Sequence, residues 1–250
     1  MQAKTIDDVI RILDDIIRSC RDQNSRLGYF PALYRKVTTE VKRGIANGYF
    51  DDGKRMELLD VNFANRYFEA YEAFTSGKPP TQSWRVAFDA GKDWWAIVLQ
   101  HLLLGINAHI NLDLGIAAAK TSPGGQIHTL KGDFDKINDI LSSLLNKVEG
   151  ALTKVWPMLK LLSAIAGKND EKLINFSLQA ARTHAWNLAL ALAVVGGEDS
   201  HDTISAADDA VAHIANSIQH PGAIVGSVTN FIRLGERGSV PRIISIFEQL

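Results

Sequence analysis

Cys20 is the single cysteine among the 250 residues, so no intramolecular disulfide can form and no cysteine-built zinc site can be assembled. That scarcity fits a reducing compartment. Charge of one sign is lacking as well: 27 Lys and Arg stand against 28 Asp and Glu, for a formal net charge of −1. No basic run occurs either. Nothing draws the chain to nucleic acid or to an anionic membrane surface, and a small molecule is the expected partner. The opening "MQAKTIDDVI" lacks the apolar stretch of a signal peptide, so a cytoplasmic protein is expected.

Several chemistries are excluded by missing motifs. There is no G-x-S-x-G elbow, no G-x-x-x-x-G-K-[ST] phosphate loop and no H-E-x-x-H zinc helix. "GGQIH" after Pro123 follows no strand pattern and is not a dinucleotide fingerprint. The paired Glu-x-x-His ladders of di-iron bundles are absent too. From Trp94 to Leu112 there is no Asp, Glu, Lys or Arg, a stretch close to the ~20 residues a membrane-spanning helix needs. Gln100, His101, Asn107, His109 and Asn111 fall inside it and Asp113 comes directly after. That polar load argues for a buried helix of a water-soluble protein, with no membrane span.

What the sequence has in abundance is helical periodicity. In "TIDDVIRILDDIIRSC" the apolar positions Ile6, Val9, Ile10, Ile12, Leu13, Ile16 and Ile17 make one stripe, and Thr5 with Asp8 forms a capping box, predicting a helix over 5–21. A second helix closes near Asn47-Gly48, and a third is stopped by Gly77, Pro79 and Pro80. A short helix over 84–90 precedes a long apolar one over about 92–120. "TSPGGQIHTLKG" reads as a loop, with His128 in it, Asp133 as N-cap of the next helix toward Gly150, and Asp135 in its first turn. Pro157 perturbs the segment after that. A further long helix ends at Gly196-Gly197, and two or three shorter ones are broken at "HPG" and "RGSVP". With no repeat, low-complexity tract or linker, the expected architecture is a single all-α domain over 1–250, a multi-helix bundle around a buried central helix.

Within that central helix, "GINAHINLDLG" (105–115) is the anomaly, because buried polar side chains must find partners. Its alternation from Ile106 to Leu114 would suit a strand, but the alanine-rich flank and continuous apolar lead-in decide for helix. As a helix it carries two polar ladders: Asn107 with Asn111, with Gln100 roughly in line, and His109 with Asp113 about half a circle away. His101 lies nearer the second. Gly105 and Gly115 would let neighbouring helices come close. His109 and Asp113, one turn apart, have three readings: a shared divalent metal, a general base oriented by its carboxylate, or a structural pair.

Other residues could join them. Asp60 sits on the apolar stripe of Met56, Phe63, Ala64 and Tyr67 and needs a donor, for which Arg66 or an imidazole is available. Asn62 and Asn65 are expected to face partly outward. His184 is expected at least half-buried in a helix that is apolar nearly all round. Trp84, Trp94, Trp95 and Trp156, at helix starts, read as packing or as walls of a pocket.

Together "LDVNFANRYFEA" (59–70), "GINAHINLDLGIA" (105–117) and "DFDKIN" (133–138) resemble a bacterial family known only as a domain of unknown function, DUF5995; "YRKVTTEV" (34–41) and the Gly-Lys-Pro-Pro turn before Trp84 also fit. The likeness covers about 28–145. It implies a helical fold and a polar centre carried by Asn107, His109, Asn111 and Asp113 with Asp60 and Asn65, and it implies no reaction. Gly115 stands where the family pattern has Pro, so the central helix should run on here. Two functional readings are open. In the first, His109, Asp113 and Asp60 are the catalytic residues of a hydrolase or other general acid/base enzyme, with Asn107, Asn111, Asn65, Gln100, His101 and His184 binding the substrate and a divalent metal held by His109 and Asp113. In the second, a non-catalytic helical domain binds a ligand or partner, and the polar network is structural.

Overall fold

A computed structural model describes residues 1–158, 169–195 and 198–250, and among these residues the fold is all-α. The first helix, α1 (Ile6–Asp22), starts at Thr5. The Thr5 hydroxyl accepts from the Asp8 backbone and the Asp8 carboxylate accepts from the Thr5 backbone, the reciprocal capping box expected of the pair. Its apolar stripe is buried against α2 (Tyr29–Ala46) and α3 (Gly53–Thr75), apart from the half-buried Ile10.

The short α4 (Gln82–Asp89) leads to the central helix, α5 (Val98–Ala108), which continues through a π-helical turn (His109–Asp113) into α6 (Leu114–Thr121). Helix α7 (Ile127–Val155) is next, then α8 (Asn169–Val194), α9 (Glu198–Gln219), α10 (Gly222–Gly235) and α11 (Val240–Glu248). The Val98–Thr121 stretch is long and apolar enough to cross a membrane by length and composition, but 78% of its most apolar window is buried among the other helices. Helices α2, α3, α4, α8 and α9 all pack against it. Close approach there depends on missing side chains. A Cβ at Gly105 would come within 2.5 Å of the Phe30 ring, and one at Gly115 within 2.8 Å of the Ala185 carbonyl oxygen.

Three sequence expectations change. The central helix starts at Val98 rather than near Lys92, because the Asp93 side chain accepts from the Trp95 backbone and turns the chain first. This leaves Trp94 and Trp95 about half exposed in the connection, while Trp84 and Trp156 are buried. The loop after Thr121 ends by Gln126, so His128 lies on the exposed face of α7 and Gly150 lies inside that helix. Asp133 is therefore no cap of its own helix, and Asp135 pairs with Lys131 in mid-helix. Gly196-Gly197 and most of the segment after Pro157 lie outside the described residues.

Asp133 caps a different helix. Its fully buried carboxylate accepts from the backbone N–H groups of Asp51 (2.7 Å) and Asp52 (2.9 Å), where α3 begins, and from Arg55 (3.4 Å) and Lys136 (3.2 Å). Burial alone would push this carboxyl up, but the two backbone donors and Lys136 together hold it below its ordinary 3.8. The stabilisation is complete above pH 3.8 and is lost as pH falls through the lower folded value. Asp133→Asn should cost about 2–4 kcal/mol at pH 7, because the amide keeps one acceptor oxygen but turns an NH2 toward the other pair of donors, one helix-start N–H and one cation, and the carboxylate charge is lost. The deficit should shrink below pH 4; a difference in urea midpoints that stays constant down to pH 3 would contradict this account.

Candidate functional site

The polar centre is built where the π turn faces α3 and α4. A π turn widens the helix and holds one residue more than an α turn, which rotates the facing of every residue after it. Asp113 is the hub and is fully buried. One carboxylate oxygen accepts from the Trp84 indole N–H at 2.8 Å and from His109 Nδ1 at 3.1 Å; the other accepts from Arg66 Nε at 3.3 Å. A carboxylate beside a guanidinium only accepts, so Nδ1 carries the proton and Nε2 presents a free lone pair.

Helix α3 delivers its share at three-residue spacing. Arg66 reaches Asp113, and Phe63, one turn earlier, stacks on the His109 imidazole at 3.5 Å and 9°. Asp60, one turn earlier again, is buried, with its Oδ2 lacking a hydrogen-bond partner. Tyr34 meets the imidazole edge-on at 4.6 Å, and Phe30, Trp84 and Tyr67 complete the ring at 5.6–6.2 Å. Arg66, the expected donor for Asp60, is instead engaged by Asp113, because nearly two α-turns separate it from Asp60 along the helix axis.

Burial pushes the His109 imidazole below its ordinary 6.5, against the opposing pull of Asp113. It is therefore neutral at physiological pH. Burial raises the Asp60 carboxyl to about 8, with the Glu57 charge adding to the effect. His101 is lowered to about 4, first by burial and then by Arg26 and Arg233. It borders a cavity of about 20 Å³, room for about one water molecule, whose walls of Phe30, Tyr67 and Trp84 separate it from His109.

The other candidates are engaged elsewhere. Asn107 donates to the Val211 carbonyl and accepts from Asn111, tying the central helix to α9. Gln100 accepts from the Ile97 backbone and donates to Ile218 and Gln219 at the end of α9. Asn65 is buried, contrary to expectation, and clamps both backbone groups of Ala3. His184 is exposed rather than half-buried, and its Nδ1 lies 3.3 Å from the Asn111 carbonyl. The structure thus pairs His109 with Asp113, places Asp60 one turn before the Phe63 that stacks on His109, and leaves Asn107, Asn111, Asn65, Gln100, His101 and His184 outside that pair.

A metal fits the pair poorly. Both oxygens of Asp113 are taken by N–H donors, a guanidinium adjoins them, and no group of three or more His, Cys, Asp or Glu suited to a cation occurs among the described residues. Sequence reasoning missed the roles of Arg66, Trp84, Phe63 and Tyr34. The three-residue spacing of Asp60, Phe63 and Arg66 was a usable signal, whereas nothing in the local sequence ties Trp84 to Asp113. Trp84 is positioned through α4, whose first backbone N–H groups, at Gln82 and Ser83, donate to the buried Asp208 carboxylate. No curated protein and no solved structure matches the chain. A family model does match, over residues 6–221, which is wider than the 28–145 stretch that carries the resemblance, and the chain belongs to this family of unknown function, DUF5995.

Proposed function

We propose that this centre is a small-molecule site in which His109 works as a general base, in hydrolysis or a related proton transfer. The observation that carries the reading is the orientation of the imidazole. Asp113, itself fixed by Trp84 and Arg66, holds Nδ1 and leaves Nε2 unprotonated and without a protein partner. Asp113 is the positioning residue, and Asp60, protonated at neutral pH, is the available acid. The metal reading is set aside on the donor set. A cytoplasmic location goes with the proposal, supported by the buried, unpaired Cys20.

The test must avoid alanine at His109, since removing a ring stacked on Phe63 would open a cavity and destabilise the protein under either reading. His109→Gln keeps the volume and can still donate to Asp113. Wild-type and variant protein would be compared on a panel of small chromogenic esters and amides. Turnover should fall by about 10²–10⁴-fold in the variant, the scale of general-base catalysis, with Tm little changed. The wild-type rate should decline in acid only below pH 6.5, since the base form persists to the lowered folded value. A variant as active as wild type would remove His109 from the chemistry. Lost stability with no turnover in either protein would favour the structural network.

A further inference from the structure

Most buried polar groups of this protein are satisfied, as at Asn65, Asn107, Asp113, Asp133 and Asp208. One cluster is not. Tyr34 Oη, Thr38 Oγ1, Asp60 Oδ2 and His109 Nε2 are all buried and all without a hydrogen-bond partner. Tyr34 links the four. Tyr34 and Thr38 are one turn apart on α2, and the Tyr34 ring lies 4.6 Å from His109 and 5.9 Å from Phe63. Asp60 precedes Phe63 by one turn and is near enough for its charge to push the Tyr34 phenol up, after burial the largest influence on it. The Thr38 hydroxyl adjoins Tyr34 without completing a bond. Orphaned buried groups are rare because each costs the desolvation it never recovers, and four at one place mark a position meant to be filled.

We propose that Tyr34, Thr38, Asp60 and His109 form a binding site for a small uncharged molecule of the carboxamide class. The proposal rests on the general-base reading only in sharing His109. His109 Nε2 accepts, the two hydroxyls donate or accept, and Asp60 Oδ2 donates while its carboxyl is protonated. A ligand that suits this set offers an N–H to the imidazole and a carbonyl oxygen to the Asp60 and Tyr34 hydroxyls, and a primary amide presents both on one carbon. Charge is excluded by the same inventory. Arg66 is already paired with Asp113, so a buried ion would find no counter-charge.

Acetamide is the probe, and acetate, of nearly the same shape but charged, is its control. Acetamide titrated into the full chain should move the ¹⁵N resonance of His109 Nε2 saturably. Acetate should bind at least about 10-fold more weakly, as desolvated charge without a partner requires. Tyr34→Phe and Thr38→Val, both close in volume to the native side chains, should weaken acetamide by about 3–30-fold each, the range for one lost hydrogen bond. Thr81→Val, which removes an orphaned hydroxyl at the start of α4, away from the cluster, should leave it unchanged. Unsaturable or absent shifts, equal binding of acetate, or indifference to Tyr34→Phe would each overturn the proposal. So would a resonance that reports only an exchanging buried water. Acetamide binding with no turnover of any substrate would defeat the general-base reading and keep this site; turnover without amide binding would do the reverse.

Discussion

Asp113→Ala should be among the most destabilising single substitutions in the chain, at about 3–5 kcal/mol, or roughly 6–20 °C in Tm for a protein of this length. Three donors lose their acceptor together. Trp84 and His109 would keep buried N–H groups with nothing to receive them, and Arg66 would keep a guanidinium turned inward, with only the exposed Glu69 at 3.7 Å as a substitute. The size comes from that stranding and not from the net worth of the native pair, since a buried ion pair replaced as a whole often costs little. Arg66→Met in the same protein should therefore recover part of the loss, so that the double variant is more stable than the sum of the singles implies. Thermal melts by circular dichroism on the four proteins close the cycle. Additive losses, or an Asp113→Ala variant within about 1 kcal/mol of wild type, would show that the hub does not organise the centre.

Much of this was legible in the sequence, and what was not has local causes. The capping box of Thr5 and Asp8, the central helix with its two polar ladders, and the close packing at Gly105 and Gly115 come from periodicity and residue size, which are properties of neighbouring residues. His109 and Asp113 were readable as a pair for the same reason. The misreadings arise where a residue's partner lies far along the chain. Asp133 resembles an N-cap beside its own breakers, but the N–H groups it satisfies are about eighty residues away. Proximity in sequence matches Arg66 to Asp60, while tertiary packing gives it to Asp113 across 47 residues. His184 looks enclosed because its helix is apolar, yet its own side chain faces out. The π turn has no sequence signature, and it sets the facing of the whole centre.

Asp60→Asn should make the protein more stable, increasingly so as the medium becomes alkaline. The native carboxyl is buried without a donor, and burial raises it to about 8 from the 3.8 of an exposed chain. Between those values the folded protein holds a proton that the unfolded chain has lost, so stability falls as pH rises, by up to about 1.4 kcal/mol per unit. Below 3.8 both states are protonated and the stability from this group is fully present; above 8 both are ionised and the loss is complete. Asparagine keeps the size and the neutral polarity but cannot ionise. The two proteins should match near pH 4 and diverge to a gap on the order of 5 kcal/mol at pH 8. His101 and His109, both lowered by burial, titrate in wild type and variant alike, so the difference between the two curves isolates Asp60. Urea midpoints at pH 4, 6 and 8 are enough to measure it, and parallel curves would mean that Asp60 finds a donor after all. A carboxyl kept at such a disadvantage, beside the aromatic residues that surround a neutral imidazole, is the kind of local instability that proteins retain for what a site does rather than for how it folds.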